Sequence, residues 1–181
     1  MIGAALAAPA PARADEPAPA GADEPPEVAE IGVRGSLAIT DHGGFGFAGV
    51  SGLYHVYRHV ALGGYLEGSL VEDPMGDYCW YEGWGCPDFA WRVGAMARVD
   101  VLPTFVLDPW VGLGLGTFWA HSRVEGGSTV HGRAELEGTV GLDVRVPRVS
   151  FGPYGLLVLS LDPEAPGFGA LGYGLRVAVR F

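Results

Sequence analysis

An all-β fold, wound as an eight-stranded antiparallel up-and-down barrel, is predicted by three observations. Apolar residues recur at every second position in run after run, which is the period of a strand with two unlike faces. Clusters of Gly, Pro, Asp and His punctuate those runs as turns and loops. The last run, residues 173–181, alternates without exception, setting Tyr173, Leu175, Val177, Val179 and Phe181 against Gly174, Arg176, Ala178 and Arg180. At the border of an open sheet that strand would expose an unpaired edge, whereas closure into a barrel pairs it on both sides.

Composition narrows the function classes. At 181 residues a single domain is expected. The 30 Gly, five Trp, seven Tyr and eight Phe, beside only 18% charged residues, suit a β-protein with many tight turns. All 11 basic residues are Arg, and the formal charge of −10 argues against nucleic acid, whose phosphates demand basic patches. Asp15, Glu16, Asp23, Glu24, Glu27 and Glu30 supply six of the 21 carboxylates, which leaves 15 acids against ten Arg in the rest of the chain. No apolar run approaches the roughly 20 residues of a membrane helix, so any crossing of a bilayer is made by strands.

Residues 1–14 are small and apolar and close on Ala12-Arg13-Ala14, an A-x-A pattern of the kind that signal peptidase cuts. They are expected to be an export signal with a mature start near Asp15, although the usual basic leader is missing. Residues 15–28, rich in Pro, Ala and carboxylates, bury too little apolar area to offset their ordering entropy and read as a flexible acidic linker. The barrel is expected over residues 29–181.

The first run alternates Ile31, Val33, Leu37 and Ile39 with Gly32, Arg34, Ser36, Ala38 and Thr40, and Asp41-His42-Gly43-Gly44 ends it. The second, residues 45–56, carries Ala48, Val50, Tyr54 and Val56 on one face, with Phe47 and Leu53 blurring the phase. Tyr57-Arg58-His59 turns the chain into a third run with Val60, Leu62, Leu66 and Leu70 opposite Tyr65, Glu67 and Ser69. The pattern then stops through the longest loop and resumes as Trp91, Val93, Ala95, Ala97 and Val99 against Arg92, Gly94, Met96, Arg98 and Asp100. The fifth run, residues 105–119, contains Pro109, which cannot donate to a ladder, so its well-paired part is expected to start after that residue. Residues 120–130 read as a second loop. A sixth run sets Ala134, Leu136, Val140, Leu142, Val144 and Val146 against Arg133, Glu135, Glu137, Thr139, Asp143 and Arg145. Pro147-Arg148 leads into a seventh run, residues 149–161, apolar on both faces, and residues 162–168 form a short Pro-Gly loop before the last run.

The turns near Arg58, Pro103 and Pro147 are short and two of the loops on the other side are long, the asymmetry of transmembrane barrels. Runs of this length also match the roughly 9–11 residues with which a tilted strand crosses the hydrocarbon. With its terminal Phe, the run 173–181 resembles the last strand of the small outer-membrane β-barrels of Gram-negative bacteria, the OmpA/OmpX type and the somewhat similar OmpW-like barrels. The resemblance implies residence in the bacterial outer membrane, outer-membrane lipids and the barrel assembly machinery as partners, Tyr173 and Phe181 as parts of an assembly signal, and a monomer.

Alternation alone leaves open which face is outside, since a soluble lipocalin-like barrel turns its apolar face inward. The charges favour the membrane version. Arg34, Arg92, Arg98, Arg133, Arg145, Arg176 and Arg180 share one face with Glu67, Asp100, Glu135, Glu137 and Asp143, while Arg58, Arg123 and Arg148 fall in turns or loops. An Arg facing lipid at the midplane costs about 2–4 kcal/mol, so an arrangement in which none need do so carries weight. Trp91, Trp119, Tyr173 and Phe181 lie near run ends, as interface girdles do. The fold class is therefore an eight-stranded transmembrane β-barrel with a lumen filled by those 12 charges.

Eight strands enclose only enough room for side chains, so the charges are expected to form a hydrogen-bonded plug. The expected role is structural, adhesive or in membrane integrity. The alternatives are a narrow porin-like path for ions or small solutes along Arg34, Glu67, Arg98, Glu137 and Arg176, and a secreted lipocalin-like binder. Cys79 and Cys86, the only cysteines, are expected to form a disulfide in an exported chain, stabilising by roughly 2–3 kcal/mol in the chain-entropy view. Tyr78, Trp80, Tyr81 and Trp84 crowd the same loop and could hold an extracellular ligand. Asp73, Asp77, Glu82 and Asp88 there could bind a divalent cation, but their spacing is not specific, and no metal or other cofactor is expected. Lipid A deacylases use a His-x-Ser pairing on a strand, whereas here His121 and Ser122 are adjacent and point to opposite faces, so no enzyme activity is expected.

Overall fold

Eight strands follow one another in the computed structural model: β1 (Ala29–Thr40), β2 (Gly43–Tyr57), β3 (Val60–Ser69), β4 (Cys86–Asp100), β5 (Leu107–Val124), β6 (Gly127–Val146), β7 (Val149–Ser160) and β8 (Gly169–Arg180). The structure describes residues 29–40, 43–69, 86–124, 127–162 and 169–181. Outside them lie the signal-like residues 1–14, the linker 15–28, and Tyr78, Cys79, Trp80, Tyr81 and Trp84 with Asp73, Asp77 and Glu82, whereas Asp88, read as a loop residue, belongs to β4. The backbone of Cys86 opens β4, but its pairing with Cys79 falls outside the described residues.

Each strand is antiparallel to its sequence neighbours, and β1 pairs with β8 to close the sheet. The seam runs from Glu30 opposite Arg180 to Ile39 opposite Leu171. Just past it Phe181 N donates to Ala29 O at 2.9 Å, so the chain's last residue is hydrogen-bonded to the first strand. The turns Arg58-His59, 101–106 and Pro147-Arg148 mark one end of the barrel. Pro147 has its φ fixed by its ring, and Arg148 sits at φ 64°, in the left-handed region that few residues other than glycine adopt and that tight turns use.

The two faces of the wall are opposite in chemistry. Ile31 is 61% exposed and the neighbouring Glu30 is 2% exposed. Outward positions are Val, Leu, Ile and aromatic residues, among them Leu113, Val140, Leu171 and Leu175, while Arg, Asp and Glu fill the interior. Aromatic residues ring both ends of the outer wall. Tyr54, Tyr57, Phe105, Phe151 and Phe181 are exposed near the short turns. Toward the other end Tyr173 is exposed and Trp91 stacks on Trp119 at 5.6 Å with 9° between the rings.

The strands depart from the sequence pattern where that pattern was least informative. Of residues 120–130, expected to be a loop, 120–124 extend β5 and 127–130 open β6, with Val124 opposite Gly127, and Cys86 pairs with Arg123. Arg123 is therefore a strand residue rather than a loop residue. Phe105 belongs to the turn, not to β5. Pro109 lies within β5, but its effect is one-sided: pairing with β6 begins at Leu107, whereas pairing with β4 begins at Trp110. The ambiguous phase of the second run resolves with Phe47 and Leu53 inward. In β7 Ser150, Tyr154, Leu156 and Val158 point inward, and Phe151, Leu157 and Leu159 point outward.

Candidate functional site

The lumen holds two layers of ion pairs with a layer of rings between them. In the layer nearer the long loops, Arg92 from β4 donates to three carboxylates: Glu135 at 2.6 Å, Glu67 at 3.0 Å and Glu137 at 2.7 Å. Arg34 from β1 donates to Glu67 at 2.5 Å and to both oxygens of Glu137 at 3.0 and 3.1 Å. Planar guanidinium groups with donors in a fixed fork can bridge several carboxylates at once, which a Lys ammonium does poorly. β1, β3, β4 and β6 are thereby tied together across the bore.

In the layer nearer the short turns, Arg98 is fully buried. It donates to Asp100 at 2.6 Å and Asp143 at 2.8 Å and reaches Glu30 at 3.4 Å. Arg176 pairs with Glu30 and lies 3.1 Å from Asp143, and Arg180 is 3.5 Å from Glu30. Arg145 pairs with Asp108 and with Asp100 at 3.0 Å, and donates to the Pro103 carbonyl at 2.5 Å. Among the ion pairs between described residues, none joins one layer to the other.

Tyr65, Trp110 and Tyr154 occupy the level between. Arg34 lies 4.4 Å from the Tyr65 ring centre and Arg98 lies 4.7 Å from that of Trp110, so a cation from each side rests on a π-face. The Trp110 and Tyr154 rings are 6.2 Å apart, and Trp110 Nε1 donates to Asp143 at 3.1 Å. Room for the rings comes from inward glycines. A β-carbon at Gly141 would fall 2.4 Å from the Trp110 ring, one at Gly94 would fall 2.7 Å from Tyr65, and one at Gly174 would fall 2.5 Å from Tyr154. Alternation of small and large inward residues is how a narrow barrel is filled. Apolar side chains cap the loop-side layer, with Phe47 packed on Ala90, Ala120 and Phe118.

All 12 charges read from the sequence as lumen residues lie on the inward face of their strands, but they are not one network. Arg34, Glu67, Arg92, Glu135 and Glu137 form the loop-side layer. Arg98, Asp100, Asp143, Arg145, Arg176 and Arg180 belong to the other. Arg133 is half-buried, with its guanidinium 4.5 Å from the Phe118 ring. Glu30 and Asp108 are buried members that the sequence reading did not assign. Glu30 was counted with the linker acids although it is in phase with Arg34, and Asp108 is in phase with Trp110 two residues on. Tyr173 and Phe181 are both on the outer wall and exposed. Among the described residues no group of three or more His, Cys, Asp or Glu is placed to hold a metal.

Aliphatic side chains outside and paired charges inside invert the order of a water-soluble barrel and define a transmembrane β-barrel. The lipocalin-like alternative, apolar within, has the opposite distribution. Solved structures of bacterial outer-membrane barrels share this fold. The N-terminal β-barrel domain of Pseudomonas aeruginosa OprF aligns with a TM-score of 0.58 at 14% identity, over 84% of this chain and 97% of that one. Neisserial surface protein A aligns with a TM-score of 0.64 at 12% identity, over 84% and 96%. Ail, the attachment invasion locus protein of Yersinia pestis, solved with the heparin analogue sucrose octasulfate, aligns with a TM-score of 0.53 at 15% identity, over 85% and 97%. No protein-family model and no curated protein matches the sequence. The chain thus has the fold of the small eight-stranded outer-membrane barrels.

Proposed function

We propose that this chain is an integral outer-membrane barrel whose lumen is a permanent polar plug and whose role is structural or adhesive, serving membrane integrity rather than solute passage. The observation that carries the reading is the division of the bore into two ion-paired layers with an aromatic septum between them. Opening a path past Arg98 would break its ion pairs with Glu30, Asp100 and Asp143 and leave a fully buried cation without them, which is costly. The alternative ion path is also interrupted, because Arg34, Glu67 and Glu137 lie on one side of the septum and Arg98 and Arg176 on the other.

Outer-membrane lipids surround the wall, the barrel assembly machinery reads the strand ending at Tyr173 and Phe181, and the barrel works as a monomer. An extracellular ligand is assigned to the loop of Tyr78, Trp80, Tyr81 and Trp84, stapled by Cys79 and Cys86. A sulfated polyanion of the kind bound to Ail is not carried over, because the charge of −10 opposes it. Planar-bilayer recording tests the plug: the purified chain is expected to give no unitary current at moderate voltage. Steady single-channel openings from the unmodified chain would establish the porin-like alternative instead.

A further inference from the structure

We propose that the turn joining β4 to β5 is inserted into the membrane, anchoring one side of the short-turn rim in the lipid leaflet instead of standing in water; this rests on the membrane reading above. The three turns at this end differ in chemistry. Arg58-His59 and Pro147-Arg148 are exposed and polar, as expected of turns in water. Residues 101–106 carry Val101, Leu102, Phe105 and Val106 at 51%, 40%, 61% and 65% exposure, and Thr104 is their only polar side chain. Those exposures match the lipid-facing wall, where Leu113 is at 65%. The patch is continuous with that wall through Val99 and Leu107, both exposed and outward. A contiguous exposed apolar patch of this kind marks a surface that something covers. The lipid that covers the wall is already next to it.

The turn is also built to hold its shape. Phe105 N donates to Leu102 O at 3.0 Å, Val101 N to Pro109 O at 2.8 Å, and Arg145 N to Val106 O at 2.7 Å. Two lumen charges fasten it from inside, since Asp108 accepts from Leu102 N at 2.8 Å and Arg145 donates to the Pro103 carbonyl. Three of its five backbone N–H groups and three of its six carbonyls are thus bonded within the protein, and the headgroup region, unlike the hydrocarbon, offers water to the others. Amphipathic elements at an interface reach about 5–10 Å into the boundary between headgroups and acyl chains, and the turn is assigned that depth. The rim at Arg58 and Arg148 stays in the aqueous layer.

The test uses the unmodified chain, methyl-labelled at Val and Leu, in phosphatidylcholine nanodiscs, with paramagnetic relaxation read in two ways. A nitroxide on the lipid near its headgroup is expected to broaden the Val101 and Val106 methyls, while a nitroxide deep in the chain broadens Leu113. A water-soluble gadolinium chelate is expected to relax the Arg58 and Arg148 amides several-fold more than the Val101 and Val106 methyls. If Leu113 is broadened by lipid but Val101 and Val106 are attacked by gadolinium, the turn is aqueous and the anchor is overturned while the membrane barrel stands. Protection of Val101 and Val106 from both reagents overturns it in favour of a protein partner. If Leu113 itself is untouched by the lipid nitroxide, the membrane reading fails and the anchor falls with it.

Discussion

The two ion-paired layers of the lumen are made from the same residue types and do different work. The loop-side layer is a cross-brace: two arginines hold three glutamates, and every bond runs between side chains across the bore. The turn-side layer is a fastening. Through Glu30, Arg176 and Arg180 it straps the β1–β8 seam, and through Arg145 and Asp108 it grips the turn at Pro103. Redundancy is distributed differently in them: in the first layer Glu67 and Glu137 each have two arginine partners, whereas Glu135 is bonded by Arg92. In the second, Arg98 serves three carboxylates, of which Asp100 and Asp143 each keep one other arginine.

Variants can break this distinction or sharpen it. The largest expected effect is for Arg92→Ala, a loss of about 3–5 kcal/mol because a buried cation is removed from three carboxylates and Glu135 is left with no bonded donor. Reversible urea unfolding in lipid vesicles, followed by heat-modifiable gel mobility, measures it. Arg98→Ala is expected to cost less, about 2–3 kcal/mol, since Arg145, Arg176 and Arg180 continue to hold Asp100, Asp143 and Glu30. Equal losses for the two variants would erase the difference between brace and fastening. Deleting Phe181 removes two main-chain bonds at the seam, worth about 1–2 kcal/mol, and is expected to slow barrel closure more than it lowers final stability. A truncated chain that inserts into vesicles as fast as the full one contradicts that. Trp110→Phe keeps the ring but strips the donor from Asp143, for a loss of about 1 kcal/mol with the lumen still closed to ions.

Much of the barrel could be read from period two because a bilayer forces the outer face to be apolar, and that one face fixes the phase of the whole strand. Alternation puts Arg34, Glu67, Arg92, Glu137 and Arg176 on one face, and the cost of Arg against lipid turns that face inward. Reading failed where the membrane exerts no such force. Residues 120–130 carry His, Ser, Gly and Thr because the β5–β6 hairpin continues past the stacked Trp91 and Trp119, where neither face need be apolar. It failed again at the ends of the lumen, where Phe47, Leu156 and Val158 turn inward as caps and give β2 and β7 apolar residues on both faces. The separation into two layers was not legible either. Inward positions were known strand by strand, but which side chains share a level depends on the stagger between strands, and only the register supplies it.

The rings of the septum carry a consequence for how such a sequence can drift. Trp110 takes the space in which Gly141 would need a β-carbon, and Tyr65 stands in the same relation to Gly94, whereas at Gly174 the Gly35 carbonyl blocks that space together with Tyr154. Neither member of a pair is free to vary by itself: a methyl at position 141 evicts the indole, and a small residue at 110 leaves a void beside the glycine. Descendants of this chain are therefore expected to exchange ring and glycine together, as linked substitutions on neighbouring strands.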